Sequence, residues 1–148
     1  MMAAHSRRVL TAIALTALTS CSGASVATMH VTDLNAHLTV RREPAHLYLP
    51  EYHRWLMIGP ENGGDTALQL PLDTGGSTRI NVYQTKKGSY VLVDRMAAYE
   101  AELSVWTVRS VPAIPDSKHF VGCFDVVDGR WTFLSASERS ELQLDLAS

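Results

Sequence analysis

From Tyr52 onward, apolar and polar residues alternate along most of the chain with a period of two. In "YHRWLMIG", Tyr52, Arg54, Leu56 and Ile58 share one side and His53, Trp55 and Met57 the other, the pattern of a strand with one covered face. Leu68, Leu70 and Leu72 share a face of "ALQLPLD", and the intervening Gln69 and Pro71 mark a half-exposed edge strand. "TRINVYQ", "SYVLVDR" and "LSVWTVR" are rich in β-branched and aromatic residues and are separated by turn formers. "RMAAYEAEL" holds good helix formers, yet the short spacing to its neighbours assigns it to a strand as well. Before Tyr52, the two prolines of "EPAHLYLPEYH" predict an ordered, extended segment rather than a helix.

Asp128-Gly129 sits between "FVGCFDVV" and "RWTFLSA". Asp-Gly is a preferred pair for a two-residue type I′ hairpin, because both central residues need positive φ. Pairing outward from that turn sets Val126 opposite Trp131 and Phe124 opposite Phe133 on a core face, with Asp125 meeting Thr132 on the other. Cys123 then pairs with Leu134 on the more polar side, as a covered thiol without catalytic work. Ser135 and Glu138 have capping-box spacing. In "ELQLDL", Leu142, Leu144 and Leu146 alternate, predicting a final strand or an apolar docking edge. The fold class expected is all-β, or β-rich α+β: an antiparallel meander closed as a small barrel or folded as a sandwich.

The first residues carry a different pattern. Arg7 and Arg8 form a positive start, and Val9 to Thr19 form an uncharged apolar stretch of about 11 residues, within the range of an export signal and too short to span a bilayer. Leu18-Thr19-Ser20-Cys21 follows, and it resembles the lipobox of bacterial lipoproteins. That resemblance implies cleavage before Cys21, whose sulfur carries a diacylglycerol. It gives residues 1–20 as signal peptide, 21–28 as lipidated Cys and flexible tether ("SGASVAT" after the cysteine), and 29–148 as one β-rich domain. It also implies a protein in the bacterial cell envelope, held to a membrane by its N-terminal lipid and facing the periplasm. Ser22, a non-acidic residue after the cysteine, goes with outer-membrane sorting in such families. An ordinary secretory signal cleaved after Ala24 or Ala27 is the competing reading. Ser6-Arg7-Arg8-Val9-Leu10 also looks like the twin-arginine export signature, with ordinary Sec export the alternative.

Charge narrows the partners. Without Arg7 and Arg8, eleven basic residues face fifteen acidic ones, a net of −4. No nucleic acid is expected, because that footprint needs clustered Lys and Arg, and no polybasic membrane patch is present. Attachment would come from the lipid, since several acyl chains anchor where one is marginal. With Cys21 acylated, Cys123 has no disulfide partner.

Asp73-Thr74-Gly75 is the triplet that retroviral-type aspartic proteases place at their active site, and Phe120-Val121-Gly122 is similar to a second feature of that family. The resemblance implies a homodimeric protease using Asp73, two carboxylates sharing a proton. Against it, the strand before the triplet alternates with Gln69 and Pro71, and Gly76 stands where the family usually has Ala or Ser. Asp73 is therefore read as a turn residue that accepts backbone hydrogen bonds. His30, Asp33, His37, His46 and His53 lack the spacing of a readable zinc site, and no metal or other cofactor is expected. Trp55, Trp106 and Trp131 read as core residues. The function expected is a lipid-anchored envelope protein with a β-rich binding or structural module, without catalysis and with an envelope protein partner; the alternatives are the aspartic protease and an inhibitor or immunity-type periplasmic lipoprotein.

Overall fold

The computed structural model describes residues 23–75, 78–114 and 116–144; Cys21 and the signal-like segment lie outside them. Strands β1 (Ser25–Val31), β2 (Ala36–Pro44), β3 (Tyr52–Pro60) and β4 (Thr66–Asp73) make one antiparallel sheet in that order. Strands β5 (Ile80–Thr85), β6 (Tyr90–Val93), β7 (Ala98–Glu102), β8 (Thr107–Val111), β9 (Lys118–Val127) and β10 (Arg130–Ser135) make a second sheet ordered β10-β9-β5-β6-β7-β8. The two sheets pack face to face as an all-β sandwich. The chain does not meander throughout, because the β8–β9 connection crosses back to set β9 beside β5.

The core follows the alternation. Ala36, Leu38 and Val40 of β2, Leu56 and Ile58 of β3, Ile80 and Val82 of β5, and Phe124 of β9 are fully buried between the sheets. A smaller apolar cluster, Tyr83, Val91, Val93 and Ala98, lies on the outer face of the second sheet under Ile114 of the crossing connection. The β9–β10 hairpin turns on Asp128 and Gly129, both at positive φ (49° and 76°), with Trp131 opposite Val126, Phe133 opposite Phe124 and Leu134 opposite Cys123. Trp131 stacks on Phe124 at 6.1 Å and donates its indole N–H to the Val40 carbonyl at 2.9 Å, joining the two sheets.

Several expectations are corrected. Strand β1 begins at Ser25, so four residues of the expected tether are hydrogen-bonded sheet, paired with Thr39–Arg42. The stripe Leu68, Leu70, Leu72 breaks at its end: β4 pairs Leu70 with Arg54 but Asp73 with Tyr52. This bulge turns Leu72 out and Asp73 in. Trp131 alone of the three tryptophans lies in the buried core. Trp106, in the β7–β8 turn at φ 53°, packs against that core while partly buried, and Trp55 lies partly buried beside Arg41. Residues 136–144 form no strand, and Leu146 lies outside the described residues. The tail instead turns back along β5, where Arg79 and Asn81 donate to the carbonyls of Ser140 and Leu142 and the Tyr83 hydroxyl to Glu141.

Candidate functional site

The inward positions of β2 and β3 end in charges. Arg42 continues the buried series Ala36, Leu38, Val40, and Arg54 precedes Leu56 and Ile58 in theirs. The two arginines are paired residues of the β2–β3 ladder. Their surroundings are supplied by other segments of the sandwich: Asp73 to Gly75, the turn from Asp94 to Ala97, Tyr99 of β7 and Trp131 of β10.

Arg54 is 2% exposed. The β4 bulge leaves the Pro71 carbonyl outside regular pairing, and Arg54 donates to it from Nε and Nη2 at 3.3 and 3.0 Å. The same Nη2 lies 2.8 Å from Asp94 Oδ2 in an ion pair buried on both sides, oriented off the line of a hydrogen bond. Asp94 Oδ1 accepts from the N–H groups of Met96 and Ala97 at 2.7 and 2.8 Å, which fixes the turn and the carboxylate together.

Arg42 donates from Nε to Ser25 Oγ at 3.0 Å and lies between the rings of Tyr52 and Trp131, at 4.4 and 4.7 Å from their centroids. Burial lowers its pKa from the ordinary arginine value, with Tyr52 and Asp73 pulling the other way. Asp73, 6% exposed, accepts from the Gly75 N–H at 3.1 Å through Oδ1. Burial and the Asp94 charge push the Tyr99 phenol up to about 12, against Arg54.

Three polar atoms here have no protein partner: Arg42 Nη1, Asp73 Oδ2 and the Tyr99 hydroxyl. A pocket of about 190 Å³ opens at Asp73, lined also by Arg54, Leu72, Thr74, Gly75, Asp94, Arg95 and Met96; Arg42 and Tyr99 are not among its lining residues. Asp94 is held by Arg54, and Asp73 faces the charge of Arg42.

The histidines do not converge. His30 meets Glu61 at 2.8 Å, His37 meets Asp65 at 3.0 Å and His46 meets Glu51 at 3.2 Å, while His53 lies beside Trp55. Among the described residues no group of three or more His, Cys, Asp or Glu could hold a metal ion. Phe120-Val121-Gly122 forms the irregular part of β9, where pairing with β5 jumps from Gly122 to Phe120. The sequence reading missed Arg42, Arg54, Asp94 and Tyr99 as site residues. A signal for the first was available, since an arginine completing an inward apolar series is a buried charge in need of a partner. Comparison of the chain with protein-family models, curated proteins and solved structures gives no significant match.

Proposed function

We propose that this chain is a lipid-anchored protein of the bacterial envelope, acylated at Cys21, whose periplasm-facing sandwich is a binding or structural module without chemistry of its own. The observation that carries the reading is the order of segments: a positive start, an apolar stretch, Leu18-Thr19-Ser20-Cys21, and then a sheet that begins at Ser25. Four residues span at most about 14 Å, so an acyl group on Cys21 would hold the sandwich against the bilayer rather than away from it. Ser22 favours the outer membrane. Within the cluster, Arg54 and Asp94 are committed to each other and to backbone groups, which supports a structural rather than a catalytic role for that pair.

The test is the mass of the mature N-terminus from membranes of cells producing the full chain. A diacylglycerol-modified Cys21 is expected, and Cys21→Ser should release the protein from the membrane fraction. An unmodified N-terminus at residue 25 or 28 would replace this reading with plain secretion.

A further inference from the structure

The end of the sandwich that receives the N-terminus also carries its most exposed apolar residues. Leu47 and Tyr48 are 92% and 94% exposed, and Leu49 is 54% exposed. They form the tip of the β2–β3 loop, which is closed at its base by the Ala45 N–H donating to the Glu51 carbonyl at 2.8 Å and bracketed by Pro44 and Pro50. Residues 45–50 contain no carboxylate, and the Glu51 carboxylate is met by His46. Pro50 lies against Gly75, and Pro44 against Gly23, the first described residue. The loop tip and the point from which the chain runs back to Cys21 are therefore neighbours. Leu72 and Met96, also exposed, flank the pocket at this end, whereas the opposite end presents Asp33, Glu61 and Asp65.

We infer that the Leu47-Tyr48-Leu49 tip enters the interfacial layer of a lipid bilayer and fixes the orientation of the sandwich on it. Exposed apolar side chains gathered at one site mark a surface that is covered in use. A tyrosine between two leucines suits an interface, its ring among acyl chains and its hydroxyl among headgroups. The cover is lipid rather than protein because the apolar tip, free of carboxylates, projects beside the strand that leads to the anchor. The inference rests on the anchored reading, and a single insertion of this size needs that second attachment to persist.

The full chain, produced with its own export segment, is tested in two variants, Tyr48→Trp and Leu34→Trp, with the unaltered protein as the blank for Trp55, Trp106 and Trp131. Each is mixed with vesicles of phosphatidylethanolamine and phosphatidylglycerol carrying brominated acyl chains, which quench indole fluorescence on contact. Added emission from Tyr48→Trp should be quenched, that from Leu34→Trp at the opposite end should not, and Leu47→Asp with Leu49→Asp should abolish the quenching. Unquenched Tyr48→Trp emission overturns the inference. So does Tyr48→Trp emission that is unquenched by lipid and shifts with protein concentration alone, which assigns the tip to a second copy of the chain. The N-terminal mass of the same preparation separates the two claims: an acylated chain without quenching sinks only the insertion, and an unacylated chain with quenching sinks the anchor together with the insertion's need of it.

Discussion

Arg42 stands opposite Arg54 across the β2–β3 ladder, and both guanidinium groups are buried inside the sandwich. Like charges in directly opposed positions repel, and burial removes the water that would screen them. The pair persists because each arginine has its own compensation: Asp94 and the Pro71 carbonyl for Arg54, two aromatic faces and the charge of Asp73 for Arg42. Arg54→Met should therefore destabilise the fold by about 3–5 kcal/mol, because it leaves Asp94 charged and unpaired. Asp94→Asn in the same chain removes that charge while keeping an oxygen for the Met96 and Ala97 N–H groups. Urea denaturation should show the double variant recovering much of the loss; a double variant no better than Arg54→Met would mean that the ion pair is not the source of the cost.

Asp73 separates the turn reading from the protease reading. In Asp73→Asn an amide oxygen still serves the Gly75 N–H, but the negative charge facing Arg42 is gone. The expected outcome is a stability loss of about 1–3 kcal/mol and an unchanged peptide-digestion profile. A pepstatin-sensitive, acid-optimal cleavage that disappears with this substitution would instead establish Asp73 as a catalytic carboxylate.

The sheet architecture was legible because alternation and a dipeptide turn are local signals. Asp128-Gly129 alone places Trp131 against Val126 and Phe133 against Phe124. The charged cluster was not legible, since Arg42, Arg54 and Asp73 come from three strands that only the long-range pairing of the first sheet sets side by side, and Asp94 reaches them only through the packing of the second sheet. The reversal of Leu72 and Asp73 was equally hidden: a bulge shifts the side-chain period, and nothing in "LQLPLD" except Pro71 hints at one. Leu142 and Leu144 misled as strand residues because their alternation is genuine, while the hydrogen bonds that hold the tail reach it from Arg79, Asn81 and Tyr83.

Gly122 is required by a close approach of chains. A Cβ added there would lie 2.2 Å from the Leu134 carbonyl oxygen and 2.7 Å from the Phe133 ring. Backbone cannot yield as a flexible side chain does, so Gly122→Ala should cost about 3 kcal/mol, at the upper end of overpacking effects, seen as a lowered Tm. A variant with the parental Tm would show that the β9–β10 pair opens at that point without penalty.

Two tyrosines predict alkaline instability. Tyr83 and Tyr99, 4% and 3% exposed, have phenols pushed up to about 12, foremost by burial. Their folded pKa lies above the unfolded value, so their contribution is fully present below about pH 10 and is lost as pH rises through about 12. Each contributes on the order of 2–3 kcal/mol over that window. Denaturation midpoints should fall steeply from pH 10 to 12, and phenolate absorbance should show Tyr83 and Tyr99 titrating late, with Tyr90, also raised by burial, contributing to the delayed phase. Tyr99→Phe should flatten the fall, since it removes a phenol without a partner.

Cys123 completes the account of the tail. The thiol is fully buried, and burial pushes its pKa up, with Asp125 adding and Arg79 and Arg139 opposing. Raised pKa and lack of access both suppress the reactive thiolate, so native protein should resist a disulfide reagent such as DTNB and react at the rate at which it opens. Cys123 pairs with Asn81 of β5, and Asn81 and Arg79 are the residues that grip the tail through Leu142 and Ser140. A chain ending at Arg139 leaves those donors, and the Tyr83 hydroxyl, without their acceptors. Each lost bond at a buried donor costs about 1–3 kcal/mol, and the β5–β9 pair that encloses the sulfur should open more often. Faster labelling of Cys123 in the shortened chain is the expected result. An equal rate would show that the tail rests on the sheet without stabilising it.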